Sequence, residues 1–159
     1  MIDVYLLLGS NLGNRQLFLQ QAITHIQAQV GQVIRQSAVY ETASWGKIDA
    51  PAYLNQVLLV QTNYQPRALL NELLQIELLL GRVREEKWGS RTMDIDILFY
   101  DNDIINEPGL IIPHPELHKR RFTLEPLAEI APHLQHPLLD EAILVLKNKL
   151  SDNLEVKKL

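Results

Sequence analysis

Two hydrophobic rhythms alternate along this chain, and their order restricts its fold more than any other feature. Ile2 to Leu8 is a compact apolar run ending in Gly9-Ser-Asn-Leu-Gly13, the pattern of a strand followed by a turn. Asn14 is placed to cap a helix whose stripe, Leu19, Ile23, Ile26 and Val30, keeps helical spacing until Gly31. Gln32 to Thr42 is rich in β-formers, and Ala43 to Pro51 reads as a loop. Tyr53 to Thr62 alternates as a strand, with Tyr53, Asn55 and Val57 on one face. Pro66 opens a second helix that Gly81 closes, with Leu70, Leu73, Leu74 and Leu80 as its stripe. Asp94 to Tyr100 is a further strand.

Strand, helix, strand, strand, helix, strand is the split β-α-β-β-α-β order, the ferredoxin-like plan. It predicts an α+β sandwich in which helices pack on an antiparallel sheet. Beyond it come a Pro-rich stretch from Pro108 to Pro115, the segment Arg120 to Leu124 and a helix over Leu138 to Leu150. A charged tail from about residue 151 is expected to fray.

At 159 residues, the length predicts one domain over 1–159 with room for a sizeable core. A net charge of −4 argues against a nucleic-acid-binding surface. The cations are nevertheless concentrated. Arg82, Arg84, Lys87, Arg91, Lys119, Arg120 and Arg121 make up seven of the 15 lysines and arginines, which suits a small anion. The absence of cysteine excludes disulfides and thiolate metal sites. No run has the apolar length of a membrane span, and the first residues lack the charged n-region of a signal peptide. The expectation is a cytoplasmic protein, free-standing from its start at Met1, with no membrane, nucleic-acid or obligate protein partner.

Function is most legible in Trp88-Gly-Ser-Arg-Thr-Met-Asp94-Ile-Asp96-Ile-Leu-Phe99. On a strand, Asp94 and Asp96 share one face while Ile95 and Ile97 point into a core. Two carboxylates so close repel each other unless a cation sits between them, and Mg²⁺ is commonly held by one or two carboxylates plus substrate phosphates. The arginines upstream supply charge for phosphate oxygens. D-x-D alone also fits the solvated face of an amphipathic strand; the dense basic loop and Trp88 shift the reading toward phosphoryl-group chemistry. Residues 82–91 hold almost no apolar side chain except Val83 and Trp88, so a lid that closes over nucleotide is expected there. Glu77 falls beside the leucine stripe of the second helix. It is either a rim carboxylate reaching water or one that faces a site near Arg82 and Arg84. His114 stands out among the five histidines because Pro113 and Pro115 flank it. No general base is evident.

Six elements occur in one order: Gly9-Ser-Asn11, Tyr53-Leu-Asn55, Glu77-x3-Gly81-Arg82-x-Arg84, Lys87-Trp-Gly-x-Arg91-x2-Asp94-Ile-Asp96, Pro113-His114-Pro115 and Arg120-x-Phe122. Together they resemble the 6-hydroxymethyl-7,8-dihydropterin pyrophosphokinase family of folate biosynthesis, from Leu8 to about Pro132. The resemblance implies transfer of the β,γ-diphosphate of ATP to the pterin hydroxymethyl group with release of AMP, and two Mg²⁺ ions held by Asp94 and Asp96. It further implies a pterin between Tyr53 and Phe122, read at its edge by Thr42 and Asn55. The backbone around Ala43 to Trp45 would add contacts, with Trp88 covering the site. ATP would meet Glu77, Arg84, Arg91, the Ile97 backbone, His114 and Arg120, while Arg82 and Arg91 serve the moving diphosphate. Leu74, Gly109, Ile111 and Trp45 depart from residues that some members of that family carry.

Two other classes of protein share this sheet plan. The same sheet plan hosts RNA-binding modules that stack bases on strand aromatics, but these need an aromatic-basic strand and a basic surface. It also hosts small-molecule regulatory modules, which have no use for D-x-D beside an arginine loop.

Overall fold

The computed structural model describes residues 1–42, 52–81 and 93–159. Its main sheet is antiparallel and is built on β1 (Ile2–Ser10), which pairs on one side with β4 (Tyr53–Thr62) and on the other with β5 (Asp94–Tyr100). The β-rich stretch after the first helix forms two strands, β2 (Gly31–Gln36) and β3 (Tyr40–Thr42), and both pair with β4. Helix α1 (Arg15–Gln29) begins as expected, with Asn14 Oδ1 accepting the Leu17 N–H at 3.1 Å.

Side chains alternate across the sheet and sort into two apolar clusters. Val4, Leu6 and Leu8 of β1, Leu58 and Val60 of β4, and Ile95 and Ile97 of β5 pack against α1 and α2 (Pro66–Leu79). Leu7, Val57 and Leu98 point the other way, onto α3 (Arg121–Ile130) and the short α4 (Ile143–Asn148). The sheet is therefore covered on both faces. Helices α1 and α2 supply one covering layer, and residues after 112 supply the second.

Several expectations are corrected. The buried stripe of α2 is Leu69, Leu73 and Ile76 with Leu80, so Leu70 and Leu74 sit at its shoulders, about one residue round the helix from the expected seam. Over 138–150 only Ile143–Asn148 is helical, and Leu138 and Leu139 are exposed, because the backbone there turns around buried His136. Its Nδ1 accepts the N–H groups of Leu138 at 3.1 Å and Leu139 at 3.2 Å. The Pro-rich stretch holds a hairpin of β6 (Ile105–Glu107) and β7 (Leu110–Ile112), turning at Gly109 with φ +76°. That left-handed backbone suits glycine.

The charged tail is also structured: β8 (Val156–Lys158) pairs with β3, placing Thr42 opposite Val156. The strand order is β5-β1-β4-β3-β8, with β2 also on β4.

Candidate active site

The face parity of the sheet brings the expected residues together. Asp94 and Asp96 alternate with buried Ile95 and Ile97, so they emerge on the α3 face, at the end of the sheet where β5 begins. Gly9 lies opposite both Asp94 and Asn55 in the register, so β1 joins the carboxylates to the first residues of β4. A Cβ built on Gly9 would stand 3.0 Å from Asn55 Nδ2. The glycine of Gly9-Ser-Asn11 therefore admits the amide of Asn55, which donates to the Leu8 carbonyl at 3.2 Å. Its Oδ1 and second amide hydrogen make no bond among the described residues.

Thr42, Tyr53, Asn55, Asp94, Asp96, Arg120 and Phe122 line one cavity of about 240 Å³, and Leu154 joins them. Its polar groups are unequally satisfied. Thr42 is 3% exposed, and its Oγ1 has no hydrogen-bond partner among the described residues. A buried hydroxyl left so costs stability, and a ligand that bonds to it recovers the loss. At the wall, the Arg120 guanidinium carbon lies 5.5 Å from the centroid of the Phe122 ring, within cation–π range.

The second basic cluster divides by role. Arg121 Nη1 bonds Glu125 at 3.1 Å, and its backbone N–H and Nε both bond Asp152. Lys119 lies 3.8 Å from Glu116. Arg120 has no carboxylate partner among the described residues and turns to the cavity. Pro113-His114-Pro115 runs alongside β5, with the His114 N–H donating to the Leu98 carbonyl at 3.1 Å. His114 Nδ1 accepts the Glu116 N–H at 3.1 Å, so its ring proton belongs on Nε2. Burial lowers the His114 pKa, Asp96 pulls it back up, and Arg120 pushes it down. The ring is thus a neutral donor near neutral pH, within electrostatic reach of both Asp96 and Arg120.

Glu77 is 3% exposed, which overturns the reading of a rim carboxylate reaching water. Its Oε2 accepts the Ile95 N–H at 2.7 Å. The residue between the two aspartates is therefore fixed from behind by a carboxylate of α2. The Ile97 side chain is packed in the core, so only its backbone can meet a ligand. Arg15, at the start of α1, bonds Glu41 at 3.1 Å and the Ala52 carbonyl at 2.7 Å, tying together the neighbours of Thr42 and Tyr53. Ala43, Trp45, Arg82, Arg84, Trp88 and Arg91, and with them the expected lid, lie outside the described residues.

The sequence reading missed Leu154 and the role of Asp152. Their signal was the alternation Leu154-Glu155-Val156, a strand rhythm hidden by the charge around it.

The family model of 7,8-dihydro-6-hydroxymethylpterin-pyrophosphokinase (HPPK) matches residues 5–132. The chain belongs to this family. A 2-amino-4-hydroxy-6-hydroxymethyldihydropteridine pyrophosphokinase of Methylorubrum extorquens is 43% identical over 135 residues, covering 84% of this chain and 85% of that protein. The Bacillus subtilis protein of the same name is 42% identical over 133 residues, covering 82% and 79%. The crystal structure of wild-type Plasmodium falciparum HPPK-DHPS shares the fold, with a TM-score of 0.75 at 18% identity. That match covers 93% of this chain and 44% of the longer one.

Proposed function

We propose that this chain transfers the β,γ-diphosphate of ATP to the hydroxymethyl oxygen of 6-hydroxymethyl-7,8-dihydropterin and releases AMP, a transferase step of folate biosynthesis. The observation that carries the reading is one cavity in which a buried Thr42 hydroxyl, unpartnered among the described residues, the Asn55 amide and two aromatic rings stand beside Asp94 and Asp96. A flat heterocycle with a hydrogen-bonding edge fits the first group, and phosphates with a cation fit the second. Family membership supports the same assignment.

Tyr53 and Phe122 stack on the two faces of the pterin, while Thr42 and Asn55 read its edge. Contacts from Ala43 to Trp45 and from Trp88 belong to the same proposal. Arg120 and the Nε2–H of His114 meet ATP, together with Arg84, Arg91 and the Ile97 backbone; Glu77 contributes by holding the strand on which that backbone lies. Arg82 and Arg91 serve the transferring diphosphate. The hydroxymethyl oxygen attacks the β-phosphorus, the bond from that phosphorus to the bridging oxygen of the α-phosphate breaks, and AMP leaves with that oxygen. The hydroxymethyl proton is released. The catalytic work is positioning and charge neutralisation.

The donor set fits Mg²⁺: two hard carboxylates on one strand face. Asp94 and Asp96 would hold the two ions together with substrate phosphates. When bound, Mg²⁺ neutralises charge on the phosphates and favours their in-line arrangement.

The order β1-α1-β2/β3-β4-α2-β5 reads as a ferredoxin-like unit within a single domain over 1–159, extended by α3, α4 and β8. Among the described residues no helix is long and apolar enough to cross a membrane. We place the protein in the cytoplasm, needing ATP and the pterin but no obligate protein partner. Incubation with ATP, Mg²⁺ and the hydroxymethyl dihydropterin, read by mass spectrometry, tests the reaction. AMP and a pterin diphosphate are expected; ADP with a pterin monophosphate would refute it.

A further inference from the structure

We propose that Leu154 is a specificity-determining residue, the rim wall of the pterin pocket, held there by a clamp and a strand in the last nine residues of the chain. This rests on the pterin reading of the cavity above and adds a wall from outside the family match at 5–132.

Among the described residues, three apolar side chains line the cavity: Tyr53, Phe122 and Leu154. Two rings suffice for the two faces of a planar heterocycle, so the third apolar group bears on its rim. Leu154 is placed by fixed points on both sides of it. Upstream, Asp152 Oδ2 accepts the Arg121 N–H at 3.0 Å, the Asp152 carbonyl accepts Arg121 Nε at 3.2 Å, and Asp152 Oδ1 accepts the Leu154 N–H at 2.8 Å. That carboxylate is bonded to the first residue of α3, adjoining Phe122 in sequence.

Downstream, Val156 pairs with Thr42, and the Leu159 N–H donates to the Val39 carbonyl at 2.9 Å. β8 begins two residues beyond Leu154, and its pairing with β3 secures Thr42. The same α3 holds β3 through the Tyr40 hydroxyl, 2.6 Å from Glu129. One helix thus anchors Phe122, the strand of Thr42 and the clamp of Leu154. The pocket rim is thereby built to a fixed width, and Leu154 sets which ring substituents fit.

The test compares Leu154→Ala, Leu154→Met and Asn55→Ala in the full-length chain. Calorimetry measures Kd for the hydroxymethyl pterin, for a pterin bearing one extra ring alkyl group and for a non-hydrolysable ATP analogue with Mg²⁺; Tm is recorded for each variant. Leu154→Ala should weaken the parent pterin about fivefold to tenfold, as expected for removing a partly exposed apolar contact. It should also improve the alkylated pterin relative to the parent and leave the ATP analogue within about twofold, and Leu154→Met should restore parent binding.

Unchanged parent affinity in Leu154→Ala, with a clear loss in Asn55→Ala, would overturn the role of Leu154 and leave the pterin site standing. Unchanged affinity in both variants would remove the pterin site itself. Equal losses for pterin and ATP analogue, accompanied by a lower Tm, would reduce Leu154 to a structural residue and overturn the proposal.

Discussion

Glu77 offers the sharpest link between the core and the chemistry. Its carboxylate accepts the Ile95 N–H at 2.7 Å, and Ile95 is the buried residue between Asp94 and Asp96. Replacing Glu77 with alanine strands that buried N–H, which costs about 1–3 kcal/mol. Loss of one buried methylene adds about 0.8 kcal/mol. The sum is roughly 2–4 kcal/mol, or a Tm lower by about 4–16 °C in a chain of this size. Glu77→Gln keeps an acceptor oxygen of the same reach and should lose only about 1 kcal/mol. Urea unfolding followed by circular dichroism, compared at a common m value, measures both. Activity should follow the same order below the melting range, because a loosened Ile95 displaces both neighbouring carboxylates. A Glu77→Ala variant within about 0.5 kcal/mol of the parent would refute the argument. So would a glutamine variant as unstable as the alanine one.

Three further outcomes are expected. Asp94→Asn and Asp96→Asn should each fold yet lose most turnover, and EDTA should abolish the activity of the parent until Mg²⁺ is restored; near-normal turnover of either variant at ordinary Mg²⁺ would make that aspartate a surface residue only. Gly9→Ala should weaken pterin binding without weakening ATP binding, because its Cβ would meet Asn55 Nδ2 at 3.0 Å; calorimetry with each ligand checks the split. His136 has its pKa lowered from the ordinary 6.5, first by burial and then by His118, so the native state resists a proton that the unfolded chain accepts. Its contribution to stability is fully present above about pH 6.5 and is lost as pH falls through the lowered native value. Urea midpoints should decline over that acidic window, and His136→Gln should flatten the decline.

The fold was legible where a short apolar run is bounded by turn signals. Tyr53 to Thr62 and Asp94 to Tyr100 are strands over the expected limits, although apolar layers cover both of their faces. The seam of α2 was harder to fix, since leucines at 69, 70, 73, 74, 78, 79 and 80 leave several faces apolar, and only packing selects Leu69, Leu73 and Ile76. The tail was misread for the opposite reason. Lysines 157 and 158 suggested fraying, yet a strand next to β3 needs only backbone groups and one inward side chain at a time.

At the site, residues whose chemistry shows in their type could be named from sequence: the aspartate pair, Arg120, the aromatic rings. What sequence could not supply was direction. Arg120 and Arg121 look equivalent in the chain, but one lines the cavity and the other is committed to Glu125 and Asp152. Glu77 belongs with the site motifs in sequence, and the geometry puts it behind the aspartates as the support that sets where they stand. Chemical type identifies the candidates, while the packing of β5 between α2 and the α3 face decides which of them can touch a ligand and which hold the others still.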